Sequence, residues 1–362
     1  MTDCIFILGY FGFGNVGDDS IGTATVQHLR QITEDADLSI VSGNGEFDPG
    51  AGARLIDFSL VAIITEIWHT DHLILTGGSH FHDEQSVFAS LKVHIFYLIV
   101  VLFTKASSVN VHALGHGVGP FSRRYSRIIA SLVLRLADTV TVRDPESQEI
   151  VQSLGIEAKL TFDHAALLET KEANSSVNKL GVSVTPAFRK YYGEPERDEQ
   201  LILNLASVLD DALDNGKWDE ITVFAFHNGE VNGDISMSKR LRRCMDHTGV
   251  TIEIYDDDPV VFLRAISAMD GFLGMKYHSL VFSYLVNVPV VSISYHPKCE
   301  WFQSYTGAGE RCTIRMTEAT KSELSKSIMR LSERNSECQG MFPRKKVKEL
   351  AAKSIQSAIN YE

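Results

Sequence analysis

Residues 270–298, DGFLGMKYHSLVFSYLVNVPVVSISYHPK, restrict the fold more than any other part of the chain. Apolar residues lead into Gly274-Met275, a charged corner follows at Lys276-Tyr277-His278, and residues 280–286 carry helical spacing. Pro289 stops that helix, residues 288–293 read as a buried strand, and Ser294-Tyr295-His296-Pro297-Lys298 forms the loop after it. Lys276 and His278 thus stand between a strand's carboxyl end and a helix's amino end, where open α/β sheets place ligands. Helix-start N–H groups and the helix dipole favour an anion there. Lys276 can pair with it, and an imidazole carries protons near neutral pH. On this stretch alone, a satisfied histidine and a solvated lysine fit equally well.

The same grammar recurs along the first half. Residues 4–8 run into GYFGFGNVGDDS, and residues 72–76 into Gly77-Gly78-Ser79-His80-Phe81-His82-Asp83. Residues 109–114 run into Gly115-His116-Gly117-Val118-Gly119-Pro120, and residues 139–142 into Arg143-Asp144-Pro145. Strands ending in Gly-, His- or Asp-bearing loops, with helical stretches between them, predict a doubly wound parallel sheet with its polar groups on one rim. Gly12, Gly14 and Gly17 match the glycine pattern of dinucleotide folds. Asp18 and Asp19 argue against that reading, because two carboxylates repel a pyrophosphate at the helix start. The second strand also ends in Gly43-Asn44, without the acidic ribose ligand. Asp18 and Asp19 read as helix caps, compatible with accepting the hydroxyls of a polyol. Arg143-Asp144 reads as a helix-start ion pair.

At 362 residues, two domains are expected. Hydrophobic content of 44% and charged content of 22% are those of a globular protein. A net charge of −12 argues against nucleic acid and against whole-surface attraction to anionic lipid, though not against an anionic small substrate in a basic pocket. Five scattered cysteines without CxxC spacing predict neither a disulfide framework nor a zinc site, and fit a reducing compartment. Asp3 and the early glycines break up any signal sequence, so a cytoplasmic location is expected. Residues 93–103, VHIFYLIVVLF, are too short to span a bilayer and predict a buried helix.

The second half repeats the pattern. Thr161-Phe162-Asp163-His164-Ala165 closes the first half, and the polar residues 171–179 read as a linker. Strands follow at 180–184, ending toward Thr185 and Arg189, and at 221–226, ending in His227-Asn228-Gly229-Glu230. Another lies at 250–255, before the cap-like Asp256-Asp257-Asp258. The boundaries predicted are 1–170 for an acceptor-side Rossmann-like domain, 180–340 for a donor-side one, and 341–362 for a C-terminal helix. An interdomain cleft would then be faced by Lys276, His278, Arg189, His227 and Lys298 from one half, and by Asp18, His80 and Asp83 from the other.

Several segments, in this order, resemble the polysaccharide pyruvyl transferase family: GYFGFGNVGDDSI, the Gly77–Asp83 loop, GHGVGP, VRDPES, the Asp163 loop, GVSV, FHNGE with Asp234, and GMKYHSL with VPVVSISYHPK. The resemblance covers residues 4–300. It implies an α/β fold of two Rossmann-like domains in a GT-B-like arrangement, and transfer of a carboxyethylidene group from phosphoenolpyruvate to two sugar hydroxyls in a cell-surface polysaccharide or glycan precursor. The chain departs from the family pattern at three places. Lys276 stands where Arg is common, Thr185 where an Arg follows the GVSV strand, and His296 where Asp is usual. Lys keeps the charge but gives up the bidentate fork.

Under that resemblance Lys276 and Arg189 anchor the donor's carboxylate and phosphate, with Lys298 and His227 beside them. His278 carries the proton. Asp18 assists, and Asn15, Asp18, His80, Asp83 and His116 hold the acceptor. No metal or further cofactor is expected. The partners expected are phosphoenolpyruvate and a sugar or glycan, free or lipid-linked, with peripheral membrane association compatible and oligomeric state open. Two alternatives stand beside this reading: a GT-B-type glycosyltransferase using a nucleotide sugar, and a non-catalytic member that binds glycan.

Overall fold

The apolar runs form the strands of two parallel sheets in a computed structural model of the chain, which describes residues 3–43, 47–78, 80–83, 86–171, 177–229, 233–333 and 336–359. Asn44, Ser79, Glu230 and residues 172–176 of the expected linker lie outside the described residues. The chain divides into two compact units. The first comprises Met1–Phe13, Gly17–Leu168 and Pro343–Glu362, and the second Gly14–Val16 and Glu169–Phe342.

In the first unit, β1 (Cys4–Leu8), α1 (Val16–Ile32), β2 (Asp37–Ser42), β3 (Arg54–Asp57), α2 (Leu60–Ile67), β4 (His72–Thr76) and α3 (Val87–Ala106) are followed by β5 (Asn110–His116) and α4 (Arg124–Leu136). Then come β6 (Thr139–Val142), α5 (Pro145–Ser153) and β7 (Lys159–Leu160). The strand order is β3-β2-β1-β4-β5-β6-β7, with every neighbour parallel. Ile5, Phe6, Ile7 and Leu8 of β1 are sealed on both faces, which is why the strand reads as an unbroken apolar run. The edge strands β3 and β7 are short and largely exposed, so no apolar pattern announces them. Right-handed crossovers put α2, α3, α4 and α5 on one face of the sheet and α1 on the other.

The second unit has β8 (Lys179–Ser183), α6 (Ala187–Tyr192), α7 (Pro195–Asp214), β9 (Glu220–Ala225), α8 (Ile235–Cys244), β10 (Thr251–Ile254), α9 (Pro259–Ser267) and β11 (Gly271–Gly274). It continues through α10 (Tyr277–Leu285), β12 (Val290–Ser294), α11 (Pro297–Thr306), β13 (Thr313–Arg315) and α12 (Lys321–Ser332). Its order, β10-β9-β8-β11-β12-β13, is again all parallel. Each sheet reverses direction once, between β1 and β4 in the first unit and between β8 and β11 in the second. Crevices at such switch points, beyond the carboxyl ends of the strands, are where doubly wound sheets bind ligands.

The last helix, α13 (Arg344–Ile359), belongs to the first unit. Val347, Ala351, Ile355 and Ala358 form its buried stripe, at the spacing of one helix face. Ser354 Oγ lies 2.6 Å from Thr141 Oγ1 and 2.9 Å from His164 Nε2. The other ring nitrogen of His164 is 3.0 Å from Thr25 Oγ1 and 3.1 Å from Thr76 Oγ1. One imidazole therefore ties α1, β4 and α13 together.

Two expectations are corrected, and a third, the Arg143–Asp144 ion pair at the helix start, is present with a closer partner beside it. Cys312 and Cys338 form a disulfide, their Cα atoms 5.5 Å apart. The pairing is invisible in the spacing, because only the fold brings residues 26 positions apart within bonding reach. The apolar run expected to be a buried helix is the middle of α3, which presents one face to the sheet and leaves Phe88, Ile99 and Leu102 at 79%, 42% and 50% exposure. Arg143 pairs less closely with Asp144 (3.8 Å) than with Asp163 (2.9 Å), while Asp144 caps α5 by accepting from the Ser147 amide.

Candidate functional site

The second unit gathers cationic and imidazole groups at its switch point. Lys276 is the residue before α10 and caps nothing with its side chain. Its ammonium turns to Asp234, Nζ to Oδ2 3.4 Å, and that carboxylate is fully buried at the start of α8. Burial pushes the Asp234 carboxyl above the usual range, opposed by Lys276, by the Thr185 hydroxyl and by the backbone of His227. His227 follows β9, and burial next to Lys276 and Lys190 drives its imidazole down to about 4. It is therefore neutral at physiological pH, and its buried Nδ1 has no hydrogen-bond partner among the described residues.

His278, in the first turn of α10, is half-buried, with its ring 5.1 Å from Tyr277 and 5.9 Å from Phe282. Lys298 opens α11 after the adjacent strand, and its Nζ lies 5.6 Å from the centroids of both Tyr277 and Tyr295. The Tyr277 ring is thus shared between the two loops that carry Lys276 and Lys298. His296 caps α11, its Nδ1 accepting from the Lys298 amide at 3.3 Å. The imidazole here does the capping that a carboxylate would do. Arg189 is exposed on α6, with its amide donating to Asp198, and no contact joins it to Lys276. Its neighbour Lys190 is the α6 cation whose charge reaches His227, and Tyr191 stacks near Tyr295 and His296. Lys190 was missed because two adjacent cations on a short helix give no sequence cue to which one acts on the site.

Asn15, expected on the acceptor side, pairs instead within the second unit. It bridges His227, while the Val16 amide donates to Phe226 O (3.1 Å) and the Asn228 amide to Gly14 O (2.9 Å). Gly14 has φ of 70°, and a Cβ there would collide with the Asn228 amide, so the segment requires glycine.

In the first unit, Asp18 lies in the first turn of α1, with its Oδ1 against Gly78. A Cβ on Gly78 would sit 2.6 Å from that oxygen. Burial and the Asp18 charge both push the Tyr97 phenol up. The His80 ring is 5.1 Å from Tyr97 and 5.7 Å from His116, and desolvation with nearby His82 and Arg143 holds it down to about 3. Asp18, His80 and Tyr97 form one cluster at the switch point. Tyr97 escaped the sequence because it sits inside an apolar run. His116 is buried, and its Nε2–H donates to Leu75 O at 3.1 Å, a packing arrangement. Asp83 stands apart, its Oδ2 accepting from the Ser122 amide, the Ser122 hydroxyl and the Arg123 amide at 2.6–2.8 Å. Asp19 is spent in the glycine loop, where Oδ1 accepts the Gly12 amide at 2.7 Å.

The family model described as polysaccharide pyruvyl transferase matches residues 15–297. None of the curated proteins matches the sequence. Among solved structures, a putative UDP-N-acetylglucosamine 2-epimerase from Listeria monocytogenes superposes with TM-score 0.67 at 11% identity, covering 100% of this chain and 98% of that one. The UDP-GlcNAc 2-epimerase of Neisseria meningitidis, solved with UDP-GlcNAc bound, gives TM-score 0.64 at 10% identity, with 100% of both chains covered. That of Methanocaldococcus jannaschii gives TM-score 0.63 at 11% identity, again over 100% of both. At such identities the likeness is one of fold, the GT-B-type pair of Rossmann-like units.

Proposed function

Because this chain belongs to the polysaccharide pyruvyl transferase family, we propose that it transfers a carboxyethylidene group from phosphoenolpyruvate to two hydroxyls of a sugar. The observation that carries the reading is the Lys276–Asp234 pair, set beside neutral His227 and two residues from His278 at the switch point of the second unit. A buried carboxylate that fixes a lysine orients it as an anchor for an anionic donor. Lys276 and Lys298 bind the donor's carboxylate and phosphate, with the amides opening α10 and α11 assisting. His278 protonates the methylene carbon, leaving an electron-poor C2. One sugar hydroxyl adds to C2 and returns its proton to His278, inorganic phosphate departs with the C–O bond electrons, and the second hydroxyl closes the ketal, its proton leaving with the phosphate. Asp18 and His80 keep side chains suited to the hydroxyls of an acceptor, whereas Asp83 is already engaged in holding the start of α4.

The experiment is incubation with phosphoenolpyruvate and a panel of glycosides, following inorganic phosphate and the acceptor's mass. Phosphate release coupled to a carboxyethylidene increment is expected, and His278→Ala should lower the rate about a hundredfold or more. Full activity in that variant overturns the role of His278. Release of a nucleoside diphosphate from a nucleotide sugar, with phosphoenolpyruvate inert, overturns the donor.

A further inference from the structure

We propose that the α3–α4 face of the first unit docks on an anionic lipid surface. The face is apolar where a globular protein ordinarily is not. Phe88, Ile95, Ile99 and Leu102 recur at helical spacing along the outer side of α3, all at least 39% exposed. The opposite side of the helix, with His94, Tyr97 and Thr104, is buried. By length and hydropathy α3 could cross a bilayer, the one such helix among the described residues. Its inner side packs on β5 and α4 instead, and a helix held this way offers its outer face to lie in an interface.

The adjoining helix extends the surface. α3 and α4 run side by side with their amino ends level, as shown by Tyr125 Oη donating to Val87 O (3.3 Å) and by Ser90 Oγ at 3.2 Å from Ser126 Oγ. Ile128 and Leu132 on α4 are exposed. At the other flank Trp68, 65% exposed, stands edge-on to Phe103 of α3. An exposed indole beside aliphatic side chains is typical of the bilayer–water boundary.

Charge selects the occupant. Residues 86–137 contain six lysines and arginines and no aspartate or glutamate, in a chain of net charge −12. Lys105 pairs with Asp138 and Arg123 with Asp83, whereas Lys92, Arg124 and Arg127 are exposed on the helices that carry the apolar stripe. The acidic residues Glu146 and Glu149 belong to α5, beyond α4. Aliphatic side chains interleaved with cations in this way fit anionic headgroups over their acyl chains. This proposal is independent of the donor chemistry.

The test is co-sedimentation of the full chain with phosphatidylcholine vesicles, with and without one-third phosphatidylglycerol. Binding is expected only with the anionic lipid, and should weaken as salt rises. The Arg124→Ser/Arg127→Ser double variant should bind about tenfold or more weakly. Ile99→Asp/Leu102→Asp should abolish binding while unfolding at an unchanged temperature, since both positions are exposed. Equal binding to neutral vesicles overturns the proposal, as does wild-type affinity in both variants. So does a wild-type dimer that Ile99→Asp/Leu102→Asp converts to monomer in the absence of vesicle binding, which would assign the stripe to a second copy of the chain.

Discussion

The Lys276 ammonium lies 3.4 Å from a carboxylate, that of Asp234, which has no exposure to solvent. Such a pair is a poor source of net stability, yet breaking it leaves one charge stranded. Lys276→Met should therefore destabilise the chain by about 3 kcal/mol, with Lys276→Met/Asp234→Leu recovering much of the loss. Urea unfolding of the single and double variants checks this.

The fold should weaken in mild acid. His80 is held down to about 3, and His112, His164 and His227 to about 4, chiefly by burial, against an ordinary value of 6.5. Between these values the unfolded chain binds protons that the folded chain does not, so stability rises with pH across this window. It is complete above about pH 6.5 and lost as the pH falls toward about 4. The urea midpoint should drop markedly between pH 7 and about pH 5, and His227→Gln should shallow that slope.

Ser354→Ala removes the hydroxyl that meets both Thr141 and His164 in a sealed interior. The loss should be about 1–3 kcal/mol, because two buried polar groups lose a partner together. Ser357→Ala, on the same helix but half-buried and bonded to Ser354 O, should cost under about 0.5 kcal/mol. Denaturation of the two variants side by side distinguishes a network from a helix-propensity effect.

Opening the Cys312–Cys338 bridge frees a loop of 26 residues beside β13. Chain entropy alone puts the stabilisation at about 3 kcal/mol. The Cys312→Ser/Cys338→Ser variant should melt several degrees lower, and reductant should lower the wild type to match.

The sheets were legible where strands are sealed on both sides. β1, β4, β8 and β12 announce themselves as apolar runs closed by glycine or polar loops, whereas β3, β7 and β13 lie at edges and carry no such signature. The corner at Lys276 and His278 was legible as a turn between a strand and a helix, since apolar residues run into Gly274 and helical spacing follows. What the residues there do depends on partners distant in sequence. Asp234 enters the sequence reading only with the FHNGE motif, and its burial against Lys276 appears only in the fold; Asp83 is expected to hold the acceptor until Ser122 and Arg123 are found on it. Tyr97 and Lys190 were hidden, one by apolar neighbours and the other by a second cation beside it.

The assignment of α13 to the first unit sets the order in which this chain can finish folding. As the polypeptide emerges from the ribosome, all of the second unit has been made by Phe342, while the first still lacks Ser354 and the stripe from Val347 to Ala358. The part made earliest is completed last. Until then the groove that receives α13, with His164 at its floor, stays open to water, and a chain stalled before Arg344 presents that groove to chaperones and proteases.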